Sequence, residues 1–287
     1  MIVLGPNQYG KAEVRLLRVD RTEPAHALHD LNVTVTLSGA FEATHQTGDN
    51  TAVLTTDAQK NTVFAFAAEH GVGQIEDFAL LLAEHFVTSQ EPVTRARVSV
   101  EEYAWEPAGR TGYSFARSGR EIRTATVTHD GTRAWTVSGL RDLVLLNTKG
   151  SEFWGFARDQ YTTLAETKDR ILATAVNGSW RHGEPRQDWA TSYRVARDLL
   201  ISAFAETHSY SLQQTLYAMG KRLLEGLPEV AEVRLSLPNK HHFDVDLSPF
   251  GLAGTGKGEV FYAQDRPYGL IEGTVLRDDL PPAEEAW

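Results

Sequence analysis

Residues 236–246 read Ser-Leu-Pro-Asn-Lys-His-His-Phe-Asp-Val-Asp, and the twin histidines could hold a metal or carry a proton. Strand alternation separates the two chemistries. Consecutive side chains on a strand point to opposite faces, so His241 and His242 cannot grip one ion together. His242 shares a face with Asp244 and Asp246, a weak oxygen/nitrogen set for which a solvated strand face is the simpler account. His241 shares the other face with Phe243 and Val245, a polar exception among apolar side chains. From this strand alone the favoured reading is a core or interface histidine with a hydrogen-bond partner. The chemical reading is a proton carrier working near neutral pH. None of the ten histidines falls in a helical His-x-x-x-His zinc pattern with glutamate between, and no metal is expected.

Other residues offer anion chemistry. Ser211-Leu212-Gln213-Gln214 is a capping-box pattern with Ser211 as N-cap. It places Leu212 and Gln213 in a first helical turn, where backbone N–H groups lack intrahelical acceptors. One such N–H and the Gln213 amide could hold a planar anion, although a well-capped helix is the commoner meaning. Thr56-Asp57 offers a similar helix start, with Asp57 expected as the N-cap. Arg170 precedes the apolar run Ile171-Leu172-Ala173, and an arginine beside a buried strand calls for a carboxylate or an anionic ligand. Asp169 would point the other way if the segment is extended. Phe153-Trp154-Gly155-Phe156 reads by itself as core packing, and Lys11, after Gly10, as a surface lysine. Gly251-Leu-Ala-Gly-Thr-Gly-Lys257-Gly258 matches a phosphate loop for seven positions. It then lacks the Ser or Thr and runs into a strand, so it reads as a glycine hairpin.

The elements that must position these residues come in a repeated order. Residues 31–37 alternate strictly as a half-buried strand, with 11–20 as its partner. Helices are expected at 58–69 and from Ile75 to Phe86, then strand at 93–105. Ile122–Thr128 and Arg133–Val137 flank an Asp-Gly hairpin turn. The second half has extended segments at 143–146 and 169–180, separated by a loop and a short helical stretch. Helices at 188–206 and 212–224 follow, then strand at 230–243. Strands, two helices, then strands again, twice over, indicate an internal duplication in an α+β fold, divided as 1–138 and 139–287.

Composition limits the function classes. The 287 residues, with net charge −10 and no cysteine, argue against a nucleic-acid surface, disulfides, thiolate metal sites and cysteine nucleophiles. No stretch approaches the roughly 18 apolar residues of a membrane span. Neither a secretory leader in MIVLGPNQYGK nor a peroxisomal ending in LPPAEEAW is recognisable, and a cytoplasmic location is expected.

Five ordered segments, "YGK" at 9–11, "TTDAQKNT" at 55–62, "FWGFARDQYTTLAETKDRIL" at 153–172, "SLQQTLY" at 211–217 and "LPNKHHFDVDL" at 237–247, resemble urate oxidase (uricase) over nearly the whole chain. The resemblance implies tandem T-fold (tunnelling fold) domains, each a four-stranded antiparallel sheet with a helix pair. It implies a homotetramer with four active sites at subunit interfaces. The implied reaction is cofactor-free oxidation of urate by dioxygen to 5-hydroxyisourate, with release of hydrogen peroxide. An electron-rich urate dianion would reduce oxygen directly, through a radical pair.

Carried over by position, Phe153 would stack on the purine and Leu164 would pack nearby. Arg170 and Gln213 would hold the anionic edge, with the Leu212 N–H assisting. Asn239 would hold dioxygen or water above the ring. Lys11, Thr56 and His241 would form a proton relay, and the Asp57 backbone would contact the opposite purine edge. Lys11, Thr56 and Asp57 would come from a neighbouring chain, and His242 receives no role. A pterin-type T-fold enzyme commonly needs zinc held by Cys or His, which the missing cysteine disfavours. A silent purine-binding protein would have no use for Lys11, Thr56, Asn239 and His241 together.

Overall fold

A computed structural model of the protein describes residues 2–184, 187–256, 258–280 and 283–287. The first half runs Tyr9–Asp20 (β1), Ala27–Gly39 (β2), a short unanticipated helix Glu42–Gln46 (α1), Thr56–Glu69 (α2), Ile75–Ser89 (α3), Val93–Pro107 (β3) and Phe115–His129 (β4). The second repeats the order with Ala134–Asn147 (β5), Leu172–His182 (β6), Trp189–Glu206 (α4), Leu212–Gly226 (α5), Val230–Asp244 (β7) and Phe261–Leu276 (β8). Among the described residues no helix is long and apolar enough to cross a membrane.

The strands form one antiparallel sheet in sequential order, β1 to β8, because β4 pairs with β5 across the junction of the halves. The architecture is the α+β arrangement expected from the sequence. Alternation on β2 buries Leu31, Val33, Val35 and Leu37 completely, the half-buried pattern read at 31–37. They pack with Val63, Ile75, Phe78, Leu82 and Phe86 of α2 and α3 in one core. A second core joins Trp180, Leu235 and Leu237 to Leu200, Phe204, Leu216 and Leu223 of α4 and α5. Residues 138 and 139 lie inside β5, which is continuous where the sequence suggested two separate segments.

Local departures have identifiable causes. Asp57 is not the N-cap of α2: Thr55 is, its Oγ1 accepting from the Ala58 N–H at 3.1 Å. The Asp57 carboxylate instead takes Lys60 Nζ at 2.6 Å and Asn61 Nδ2 at 3.1 Å, the helical i+3 and i+4 partners. Residues 148–171 contain no helix. They form a loop drawn in by isolated bridges, Ser151 to Ser209 and Phe153 to Thr167. Asp169–Ile171 stand outside β6, since the Arg170 N–H is spent on the Ser151 carbonyl at 3.0 Å. Phe153-Trp154-Gly155-Phe156 is not core: Trp154 is half exposed, and Phe153 and Phe156 stack on each other at 5.0 Å. Lys257 of the glycine hairpin lies outside the described residues.

A buried polar chain ties the halves together. Arg123 on β4 donates to Glu76 at the start of α3 at 2.7 Å, and the Ser138 hydroxyl of β5 donates to the other Glu76 oxygen at 2.7 Å. His182, at the end of β6, lies 3.0 Å from Ser138 Oγ through Nε2, while the Gln187 amide donates to its Nδ1. That arrangement places the imidazole proton on Nε2, aimed at Ser138. Burial drives the His182 pKa down to about 3, so the ring is neutral in the fold.

The unfolded chain takes up a proton at this histidine below about pH 6.5 and the folded chain does not. The contribution is therefore complete above that pH and is lost as pH falls toward 3. Going from pH 8 to pH 5 should cost about 2 kcal/mol through this group alone. His182→Gln is expected to flatten that part of the slope, read from denaturant midpoints at the two pH values. An unchanged slope would show that His182 does not carry it.

Candidate active site

The second half gathers one group of the candidate residues. Phe153 and Thr167 exchange backbone hydrogen bonds at 2.8 and 2.9 Å, closing the loop on which Leu164 is exposed. Arg170 emerges just beyond, its guanidinium carbon 5.0 Å from the centre of the Phe153 ring. The arginine is only partly accessible, and burial lowers its pKa. Among the described residues no carboxylate makes a salt bridge or hydrogen bond with it. A half-buried cation left in that state is poised for an anion.

Nearby the α5 helix starts as expected, with Ser211 Oγ accepting from the Gln214 N–H at 3.2 Å. The Gln214 side chain reaches one residue further back than an ordinary capping box, accepting from the Tyr210 N–H at 2.7 Å. Leu212 is buried and Gln213 exposed at the first turn. That turn presents N–H groups lacking helical acceptors and the positive end of the helix.

His241 and Asn239 sit on β7, Asn239 paired in register with Thr174 of β6 and Gly269 of β8. The β7–β8 register shifts between Asn239 and His241, an irregularity of the kind that re-aims side chains. His241 stacks on Phe243 at 5.8 Å, as alternation predicts, but Phe243 is itself nearly half exposed. The histidine therefore faces outward from this chain, not into its core. Burial first, then the Arg170 charge and then His242, hold the His241 pKa below the ordinary imidazole value. His241 is thus neutral and able to accept a proton at neutral pH, with the Arg170 charge among the causes. The His242 Nδ1 turns to the Lys240 carbonyl at 3.1 Å.

Lys11, Thr56 and Asp57 form a separate group in the first half. Lys11 is half buried on β1, next to an irregularity at residues 12 and 13 where Glu13 adopts a φ of 57°. Gly10 admits no side chain, because a Cβ there would overlap the Val35 carbonyl of β2. The Asp57 carboxyl is held below its usual range chiefly by Lys60, with Asn61 and the Lys11 charge adding to it. Thr56 opens α2 beside Asp57, partly exposed.

Among the described residues no hydrogen bond, ion pair or ring contact joins the two groups. Lys11 lies on the first strand of the sheet and His241 on the seventh, roughly 30 Å apart along the sheet at the usual strand spacing. One chain does not bring the two sets together.

The uricase family model matches residues 7–128 and 136–272 of the chain. Uricase from Arthrobacter globiformis is 49% identical over 286 residues, covering 100% of this chain and 94% of that protein. The chain belongs to the uricase family. Uricase from Dictyostelium discoideum is 38% identical, covering 96% and 98% of the two chains. The crystal structure of the Arthrobacter globiformis uricase superposes with a TM-score of 0.94 at 48% identity, covering 99% of this chain and 98% of that one. The fold is accordingly the tandem T-fold of uricases. A urate oxidase structure from Bacillus sp. TB-90 shares it at a TM-score of 0.81 and 27% identity, covering 94% and 100%.

Within this uricase-family chain, the sequence reading passed over Ser151 and Ser209. Both are almost completely buried, and both join the loop bearing Phe153 to the start of α5. No periodicity marks them. The available signal was their position, two residues before Phe153 and two before the Ser211 cap.

Proposed function

We propose that the chain oxidises urate at sites shared between copies of itself in a homotetramer. As a uricase-family oxidoreductase of purine catabolism it acts on urate. Urate, dioxygen and water give 5-hydroxyisourate and hydrogen peroxide, which balances without a further reductant. The observation carrying the residue assignment is Arg170: a partly buried cation beside the Phe153 ring, with no carboxylate of its own among the described residues.

Phe153 and Leu164 supply the apolar surface for the purine. Arg170, Gln213 and the Leu212 N–H take its anionic edge, and the charge of Arg170 favours the electron-rich ionised substrate. Asn239 holds dioxygen, then water, over the ring. His241, kept neutral, receives protons passed through Thr56 and Lys11, and the Asp57 backbone meets the far edge of the purine.

Lys11, Thr56 and Asp57 come from a second chain in this proposal. Two long strands, β1 and β8, form the open edges of the sheet, with exposed Tyr262, Tyr268, Leu270 and Leu276 on β8. Long unprotected edges are templates for pairing with another copy. Such pairing would carry the β1 group of one chain toward the β7 group of the next.

The test follows urate loss and oxygen uptake with chelator-stripped protein. One oxygen consumed and one peroxide formed per urate, at an undiminished rate, is the expected result. Absent urate loss, or loss of activity on stripping that is restored by a metal, would overturn the cofactor-free reaction.

A further inference from the structure

Arg170 is fastened twice to one residue. Its backbone N–H donates to the Ser151 carbonyl at 3.0 Å, and its side-chain Nε–H donates to Ser151 Oγ at 3.1 Å. A guanidinium is planar, so fixing Nε restricts both the plane and the direction of its two terminal nitrogens. Among the described residues those terminal nitrogens carry no hydrogen bond and face a ligand position beside the Phe153 ring.

Ser151 is in turn registered against the origin of α5. It forms a parallel bridge with Ser209. The Ser209 N–H donates to the Gly150 carbonyl at 2.8 Å, and the Glu152 N–H donates to the Ser209 carbonyl at 2.7 Å. The Ser209 hydroxyl donates to the Ser211 carbonyl at 3.0 Å and accepts from Thr215 Oγ1 at 2.8 Å. Ser151, Ser209 and Thr215 are almost completely buried, so this connection is shielded from competing water. The cation on one side and the Leu212–Gln213 turn on the other are thus held from one short piece of backbone.

We propose that Ser151 is the positioning residue that sets the plane of Arg170, and its separation from the α5 start, for recognition of the anionic edge of the purine. It acts through Arg170 and touches no reacting atom. The inference rests on the reading of Arg170 as the charge partner of urate. An alanine at 151 leaves the backbone clip intact and removes only the side-chain one. The guanidinium then keeps its charge but loses its fixed orientation, weakening ground-state and transition-state binding alike.

A double-mutant cycle tests this with Ser151→Ala, Arg170→Lys and the pair together, measuring kcat, KM for urate and competitive inhibition by xanthine. Ser151→Ala should raise KM for urate and the inhibition constant for xanthine about tenfold, the scale of one hydrogen bond to a charged group. Its kcat should stay within about twofold, because the loss is uniform. Ser151→Thr, which retains the hydroxyl oxygen, should recover most of the affinity. In the Arg170→Lys background, where no Nε–H of a guanidinium exists, Ser151→Ala should add nothing. An equal increment in both backgrounds would overturn the positioning role, as would a fall in kcat at unchanged KM. If Arg170→Lys alone leaves KM and xanthine inhibition unchanged, the anion-site reading itself fails, an outcome distinct from the other two.

Discussion

Replacing Lys11 by alanine is expected to lower kcat by about 10²- to 10⁴-fold, the range of a positioned proton-transfer group. KM for urate should move by no more than about threefold, since in the proposed relay the ammonium would act when the proton moves and not when the substrate docks. Lys11 is half buried beside a strand irregularity, and its charge is the smallest of the causes that lower the Asp57 carboxyl pKa. In the proposed relay the ammonium would lower the cost of moving the Thr56 proton, an effect larger in a water-poor site than in solvent. Steady-state kinetics on the variant decide the matter. A raised KM with kcat intact would make Lys11 a binding residue and break the relay at its first member.

Mixing two disabled variants should restore activity. Lys11→Ala chains retain a sound β7 group, and Asn239→Ala chains retain a sound β1 group. Each alone is expected to be nearly inactive. Co-expressed in equal amounts and assembled at random, they should form intact sites at about a quarter of all positions if, as proposed, each site draws one part from each of two chains. The specific activity of the mixture, against the two parents and the wild type, is the measurement. Recovery no greater than the sum of the parents would mean that each chain supplies its own Lys11 to its own site.

Much of this fold is legible from periodicity. Leu31, Val33, Val35 and Leu37 announce a strand half buried on one side, and Ser211 with Gln214 announces the start of a helix. The first-half helix start was off by two residues, because Thr55, Thr56 and Asp57 are all good capping types and only geometry selects Thr55. The loop at 148–171 was illegible for a different reason. Its two bridges connect residues far apart in sequence, Ser151 with Ser209 across 58 positions, and no local pattern encodes such a contact. Alternation separated His241 from His242, yet suggested an apolar face that one chain leaves exposed at Phe243. Composition and spacing alone left Arg170 open between a carboxylate and a ligand. The absence of a carboxylate contact among the described residues is what moved it toward the ligand.

The two strand irregularities also bear on how such a chain can change over time. On β1, Ala12 and Glu13 stand where regular pairing needs one residue, and Glu13 holds a left-handed backbone that its side chain disfavours. On β7 the register breaks again between Asn239 and His241. Losing one residue at position 12 or 13 would mend the β1 ladder with Lys11 still opposite Val35, but would remove the local bend and twist that the extra residue gives the strand beside it. Selection for a sturdier sheet and selection for turnover thus pull in opposite directions at the same few positions. Stabilising substitutions for this chain are better sought in the helix faces and the cores, away from these two breaks in the ladder.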